Sequence, residues 1–165
     1  MGKRACAVAV LLCAVTAAGC GNDDGPDLDP YIDAVAADIA KPDEGSPAIP
    51  KDKARCAAEK AIAAIDEDVI TEFDTPEDLV AATTDDLTAL DLDDATLDTI
   101  AEDFVGCLGG LDFYLDALAD FGVPKEGIAC VEDAVTDKDF IASVRADIAG
   151  ETDEAFDEAT GACFA

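Results

Sequence analysis

Apolar residues recur along most of this chain at the three- and four-residue spacing of an α-helix, and no useful length alternates with the two-residue period of a strand. From Pro50 the stripe Ala54, Ala58, Ala61, Ile62, Ile65 and Val69 predicts one long helix. Leu97, Ile100, Phe104, Cys107 and Leu108 predict a strong second stripe closed by Gly109-Gly110. Leu111, Tyr114, Leu115, Leu118 and Phe121 predict a third, broken by Gly122-Val123-Pro124. Ile128, Val131 and Val135 form the next stripe. Phe140, Ile141, Val144 and Ile148 share a further face ending at Gly150, and a last helix is expected from about Thr152 to Cys163. A helix from Pro30 to about Ala40 carries Tyr31, Ile32, Val35 and Ile39. A short one to about Ala82 opens with Thr75 as cap, Pro76 in the first turn, and Glu77 and Asp78 facing the positive helix end. Lys41 to Pro50, with three prolines, a Gly and a Ser, reads as a linker. The expected fold class is all-α, a small helical bundle.

The amino terminus has a different character. Lys3 and Arg4 precede an apolar run from Ala5 that ends in small residues before Cys20, the order of a secretory signal peptide. The run to Gly19 is shorter than the roughly 20 apolar residues a bilayer demands. Ala17-Ala18-Gly19-Cys20 resembles the lipobox of bacterial lipoproteins, with Ala17 where that family most often has Leu. The resemblance implies removal of residues 1–19 and diacylation of Cys20 with palmitate-type chains. It further implies location on the outer, extracytoplasmic face of the bacterial cell membrane, in the envelope. Residues 20–29 then form a flexible acidic tether, and residues 30–165 a single helical domain. Two or three acyl chains, at about 0.8 kcal/mol per buried methylene, anchor stably where one does not.

Of seven cysteines, Cys6 and Cys13 leave with the signal and Cys20 takes the lipid. Cys56, Cys107, Cys130 and Cys163 remain, an even number that implies two disulfides with three possible pairings in an exported domain. Two segments also match each other. Pro50-Lys51-Asp52 lies six residues ahead of Cys56, as Pro124-Lys125-Glu126 lies six ahead of Cys130. Ile100 and Phe156 each stand seven before a Cys, and each is followed by an acidic pair and a Gly. This spacing reads as an internal duplication, with units at about 50–107 and 124–163. Cys56 and Cys130 both lie off the apolar stripes of their helices. Such a helix is covered on two sides, by the core and by the disulfide partner, which favours Cys56 with Cys107 and Cys130 with Cys163. The pattern is similar to the small, acidic, Ala/Asp-rich lipoproteins and secreted proteins of actinobacteria in which a Cys-containing helical unit occurs twice. That resemblance implies architecture and location, and no activity.

Charge narrows the partners. The chain has 10 basic and 39 acidic residues and no His. Loss of Lys3 and Arg4 with the signal leaves 8 minus 39, or −31. Such a field repels nucleic acid and anionic headgroups and favours cations. Without His, serine and cysteine triads of the usual kind are impossible. Ser46 lies in the linker and Ser143 inside a helix, neither with an identifiable base. Asp91 to Asp98 invites a calcium reading but lacks the third ligand, the turn Gly and the final Glu of a calcium loop; Asp91 to Asp94 instead suit the cap of the following helix. No Cys pair has zinc spacing. The expectation is a non-enzymatic, lipid-anchored envelope protein without catalytic residues, metal or cofactor, acting on an envelope protein or a cationic ligand. The alternative is a carrier or sequestering protein for a cationic or apolar small ligand, held between the two units.

Overall fold

A computed structural model describes residues 26–41, 48–84 and 86–164 of the chain. Among the described residues nine α-helices and two 3-10 turns form the fold, with no strand. α1 (Asp29–Ile39) has Pro30 in its first turn. It starts one residue earlier than the periodicity suggests, and Leu28 packs on the core. Leu28 and Asp29, expected in the tether, thus belong to the folded part, and residues 20–25, with Cys20, lie outside the described residues.

α2 (Lys51–Ala64) follows Pro50, whose fixed φ suits a helix entry and whose missing N–H costs nothing there. The single helix expected to run through Val69 does not form. Ile65 turns extended (φ −90°, ψ 138°), and α3 (Glu67–Thr71) begins afresh. The break brings Ile62, Ile65 and Ile70 into one cluster. It also puts Glu67 and Asp68 in a first turn, where carboxylates oppose the helix dipole favourably.

In α4 (Pro76–Thr83) the Asp78 N–H donates to Thr75 Oγ1 at 3.2 Å. In α5 (Asp94–Leu108) the Thr96 N–H donates to Asp93 Oδ1 at 2.8 Å, and Gly109 at φ 103° ends the helix. α6 (Leu111–Asp120) is capped from afar, because its Leu111 N–H donates at 2.8 Å to Asp137 Oδ1, 26 residues on. Gly110 makes room for that bond: it lies at φ 76°, and a Cβ there would sit 2.8 Å from the same oxygen. α7 (Lys125–Ala134) follows Pro124. α8 (Asp137–Ile148) opens with a Thr136–Asp139 capping box, and α9 (Glu154–Gly161) is capped by Asp153.

Two apolar clusters make the core. Ile62, Ile65, Ile70, Leu79, Leu90 and Ile100 form the first, with Tyr31, Ile32 and Val35 of α1 packed against it. Val105, Leu111, Val131, Val135, Phe140 and Phe156 form the second. α5 gives Ile100 to one and Val105 to the other and packs on both α2 and α8, which makes it the shared spine. α2 lies between α1 and α5, with Ala54, Ala57 and Ala58 at most 1% exposed; methyl-sized side chains let the helices approach on both sides.

Disulfides join Cys56 to Cys107 across α2 and α5, and Cys130 to Cys163 between α7 and the turn Ala162–Phe164. Each bond lies within one unit. The units share local geometry as well. Pro50 (φ −56°, ψ 140°) and Pro124 (φ −59°, ψ 145°) open helices that end at buried, extended Ile65 and Val135. Four residues after the next cap, Ile70 and Phe140 are both buried. α2 has 14 residues against 10 in α7, one extra turn.

Candidate functional site

With so few cations, where they go decides what the surface presents. Arg55 bridges Asp33 of α1 and Glu59 of its own helix, and Lys60 lies 3.5 Å from Asp103 of α5. Lys53 reaches over the Phe113 ring, 5.1 Å from its centre, and donates to the Leu108 carbonyl at the end of α5. Its charge thus meets the negative helix terminus. Arg145 of α8 has the most partners: Asp94, Asp98 at 3.4 Å and Glu151 at 3.3 Å. These cations tie helix to helix, while Lys51, Lys125 and Lys138 stand exposed among a large excess of carboxylates.

Arg145 divides two hollows along the α5–α8 seam, which is also the seam between the units. On one side a cleft of about 260 Å³ is bounded by Leu87, Leu92, Asp91, Ile148 and Glu151. On the other a groove of about 490 Å³ has Ile141 and Ala142 as its apolar part, Asp98, Glu102 and Asp137 as acidic walls, and Lys138 beside Arg145 as its cations. Its size suits a small organic molecule. Two aspartates near the first cleft, Asp86 and Asp93, accept hydrogen bonds from the turn or helix that follows them. Hydrogen bonds from the Thr88 hydroxyl and N–H hold the Asp86 carboxyl below its usual range, and the Thr96 N–H does the same for Asp93. Asp147, on α8, shifts the other way, through partial burial and then the neighbouring charges of Asp157 and Asp153.

A third feature lies at the α6–α7 corner. Phe121 and Phe164, 53% and 49% exposed, are the exposed large apolar side chains among the described residues. They flank an open hollow of about 590 Å³ with Val123, Pro124, Gly127 and Cys163. Phe121 was expected on the buried stripe of α6; it is instead the residue after the helix, where the 3.6-residue period no longer governs which way a side chain points. Phe164 has no periodic signal at all.

Family models, curated proteins and solved structures were all compared with the chain, and none matches it. The reading of the site therefore rests on its geometry.

The Asp91–Asp98 stretch is divided among separate structural tasks. Asp91 ends a 3-10 turn in left-handed conformation (φ 49°), Asp93 caps α5, and Asp94 and Asp98 hold Arg145. Among the described residues no group of three or more Cys, Asp or Glu is disposed to hold a metal ion. Ser143 lies half-buried within α8, and Ser46 lies outside the described residues. No helix among the described residues is long and apolar enough to cross a membrane. The site features that sequence reasoning missed are Arg145, whose α5 partners lie 47 and 51 residues away, and the exposed Phe pair.

Proposed function

We propose that this chain is a lipid-anchored extracytoplasmic envelope protein that acts by binding, not by catalysis. The observation that carries the reading is the pair of disulfides stapling a small helical bundle, since such bonds persist outside the reducing cytosol. The lipobox-like Ala17-Ala18-Gly19-Cys20 supports it from the sequence. The binding part rests on charge. Arg55, Lys60 and Arg145 are engaged at helix seams and acidic residues far outnumber the other cations, so the surface offers a dense field of carboxylates to a cationic partner. Cys20→Ala tests the anchor: the variant should leave the membrane fraction and lose the mass of its acyl chains. An unchanged mass and fractionation would sink the reading.

The α5–α8 groove favours a second reading, that of a carrier for a small cationic or apolar ligand. Ile141 and Ala142 would take an apolar body, and Asp98 and Glu102 a positive group. Native mass spectrometry of protein extracted gently from its own membranes decides: a discrete extra mass that denaturation removes supports a carrier. Loss of that mass at roughly 0.5 M salt would mark diffuse attraction instead.

A further inference from the structure

The α6–α7 hollow is anomalous on this molecule. Seven residues form its wall, Phe121 to Pro124, Gly127, Cys163 and Phe164, and none is charged, in a chain where 30% of residues are. Comparison of the two units shows what is missing there. Lys53 stands three residues after Pro50, and Gly127 three after Pro124; Leu108 follows Cys107, and Phe164 follows Cys163. In the first unit this corner is closed by its own chain. Lys53 lies over Phe113 and bonds the Leu108 carbonyl, and Leu108 is only 2% exposed. In the second unit the corner stays open. A Cβ on Gly127 would come within 3.2 Å of the Phe164 ring and 3.3 Å of Val123 Cγ1, so a side chain there would have to push the ring aside.

The occupant follows from charge. A second copy of this chain would bring an equal negative field, and a lipid surface bearing anionic headgroups would be repelled. A partner that presents an apolar strip between rows of Lys and Arg satisfies both the uncharged hollow and the acidic excess of the chain around it, where exposed Asp120 and Glu126 adjoin the lining residues and Lys125 is the one basic neighbour in sequence. We propose that the Phe121–Phe164 hollow docks a cationic amphipathic helix of a partner protein, its apolar face between the two rings and its basic flanks over the acidic rim. The proposal deepens the binding reading given above and is independent of the lipid on Cys20.

The chain contains no Trp, so Phe164→Trp introduces a single fluorescent reporter into the hollow. The probe is a synthetic Leu/Lys amphipathic helix of about 18 residues, titrated at roughly 0.5 M salt to screen diffuse attraction. The control peptide has the same composition, scrambled so that no apolar face forms. The expected result is a blue shift saturating at one peptide per chain with the amphipathic peptide alone. Isothermal calorimetry on the otherwise unaltered chain should show the same stoichiometry, with affinity falling at least about tenfold in Phe121→Ser/Phe164→Ser. Equal binding of the scrambled peptide, or unchanged affinity in the double Ser variant, overturns the proposal. A blue shift caused by phosphatidylcholine vesicles alone, or by raising the protein's own concentration, also overturns it, in favour of a lipid or a second copy. Failure of the Cys20→Ala test would leave these results untouched, so the two readings fall separately.

Discussion

Removing the Cys130–Cys163 bond tests how the second unit is held together. The two bonds close comparable loops, with sequence separations of 51 and 33, and on the chain-entropy model each contributes about 4 kcal/mol. What the native state holds without them differs. α2 buries Ala54, Ala57, Ala58 and Ile62 between α1 and α5, so Cys56→Ala/Cys107→Ala should retain every helix and lose about 4 kcal/mol in urea unfolding. α9 buries only Phe156 and Thr160. Burying one Phe contributes about 2–3 kcal/mol, and ordering each residue of backbone costs about 1–2 kcal/mol, only partly offset by helical hydrogen bonds. Without its staple, α9 should detach before the rest unfolds. Cys130→Ala/Cys163→Ala should therefore show a smaller urea m-value and rapid amide exchange at Ala155 to Thr160, with Val131 in α7 still protected. If the α9 amides of that variant stay as protected as those of α7, packing and not the bond holds the helix, and the reasoning is wrong.

Three other perturbations bear on the same structure. Asp137→Ala removes the acceptor that caps α6 from α8, and should cost about 1–2 kcal/mol in chemical unfolding, with fast exchange of the Leu111 amide; a silent substitution would show that the bond contributes nothing. Arg145→Met unties α5 from α8, and because its partners are exposed it should cost only about 1 kcal/mol, less at high salt; a loss independent of salt would mean packing, not charge, is at stake. Stability should also have an acidic optimum. Asp86, Asp93 and Asp139 titrate lower folded than unfolded, so their contribution is present above 3.8 and is lost as pH falls through their folded values. Asp147 titrates higher when folded, so its protonation on acidification favours the fold, as does the shrinking net charge. The melting temperature should rise from pH 7 to about 5 and fall below about 4, and added salt should raise it at pH 7; a steady fall from pH 7 downward would refute the dominance of self-repulsion.

The helices were legible because their signals are local. Caps at Thr75 and Asp93, glycines at 109 and 150, and prolines at 50 and 124 each act within a few residues. Where tertiary packing overrides local pattern, periodicity misleads. The stripe through Val69 is unbroken in sequence, yet the chain turns at Ile65, and past the turn Ile70, not Val69, is the fully buried residue. Ala57 is off the stripe but fully buried, because α2 is covered on two sides. Arg145 and its α5 carboxylates are far apart in sequence, and no short-range spacing could have joined them. The Phe pair was hidden for a different reason: Phe121 continues a good stripe, and only the end of α6 turns it outward.

The likeness between the two segments supplies the contrast that gives the hollow its meaning. Both units keep the Pro-initiated helix, the extended buried residue that ends it, and the Cys bonded within the unit. They part at Lys53 against Gly127 and at Leu108 against Phe164, two exchanges at one corner. A Lys that closes its corner has given way to the residue that cannot, and a buried Leu to an exposed ring. Each change alone would only loosen packing. Together they open an uncharged hollow in an acidic surface, at a cost in exposed apolar area that a partner's apolar face would offset. That coupling is itself testable, because Gly127→Lys should displace the Phe164 ring. It should abolish binding of the amphipathic peptide with little loss of stability, whereas a variant that binds as before would show that the corner is not where the partner docks.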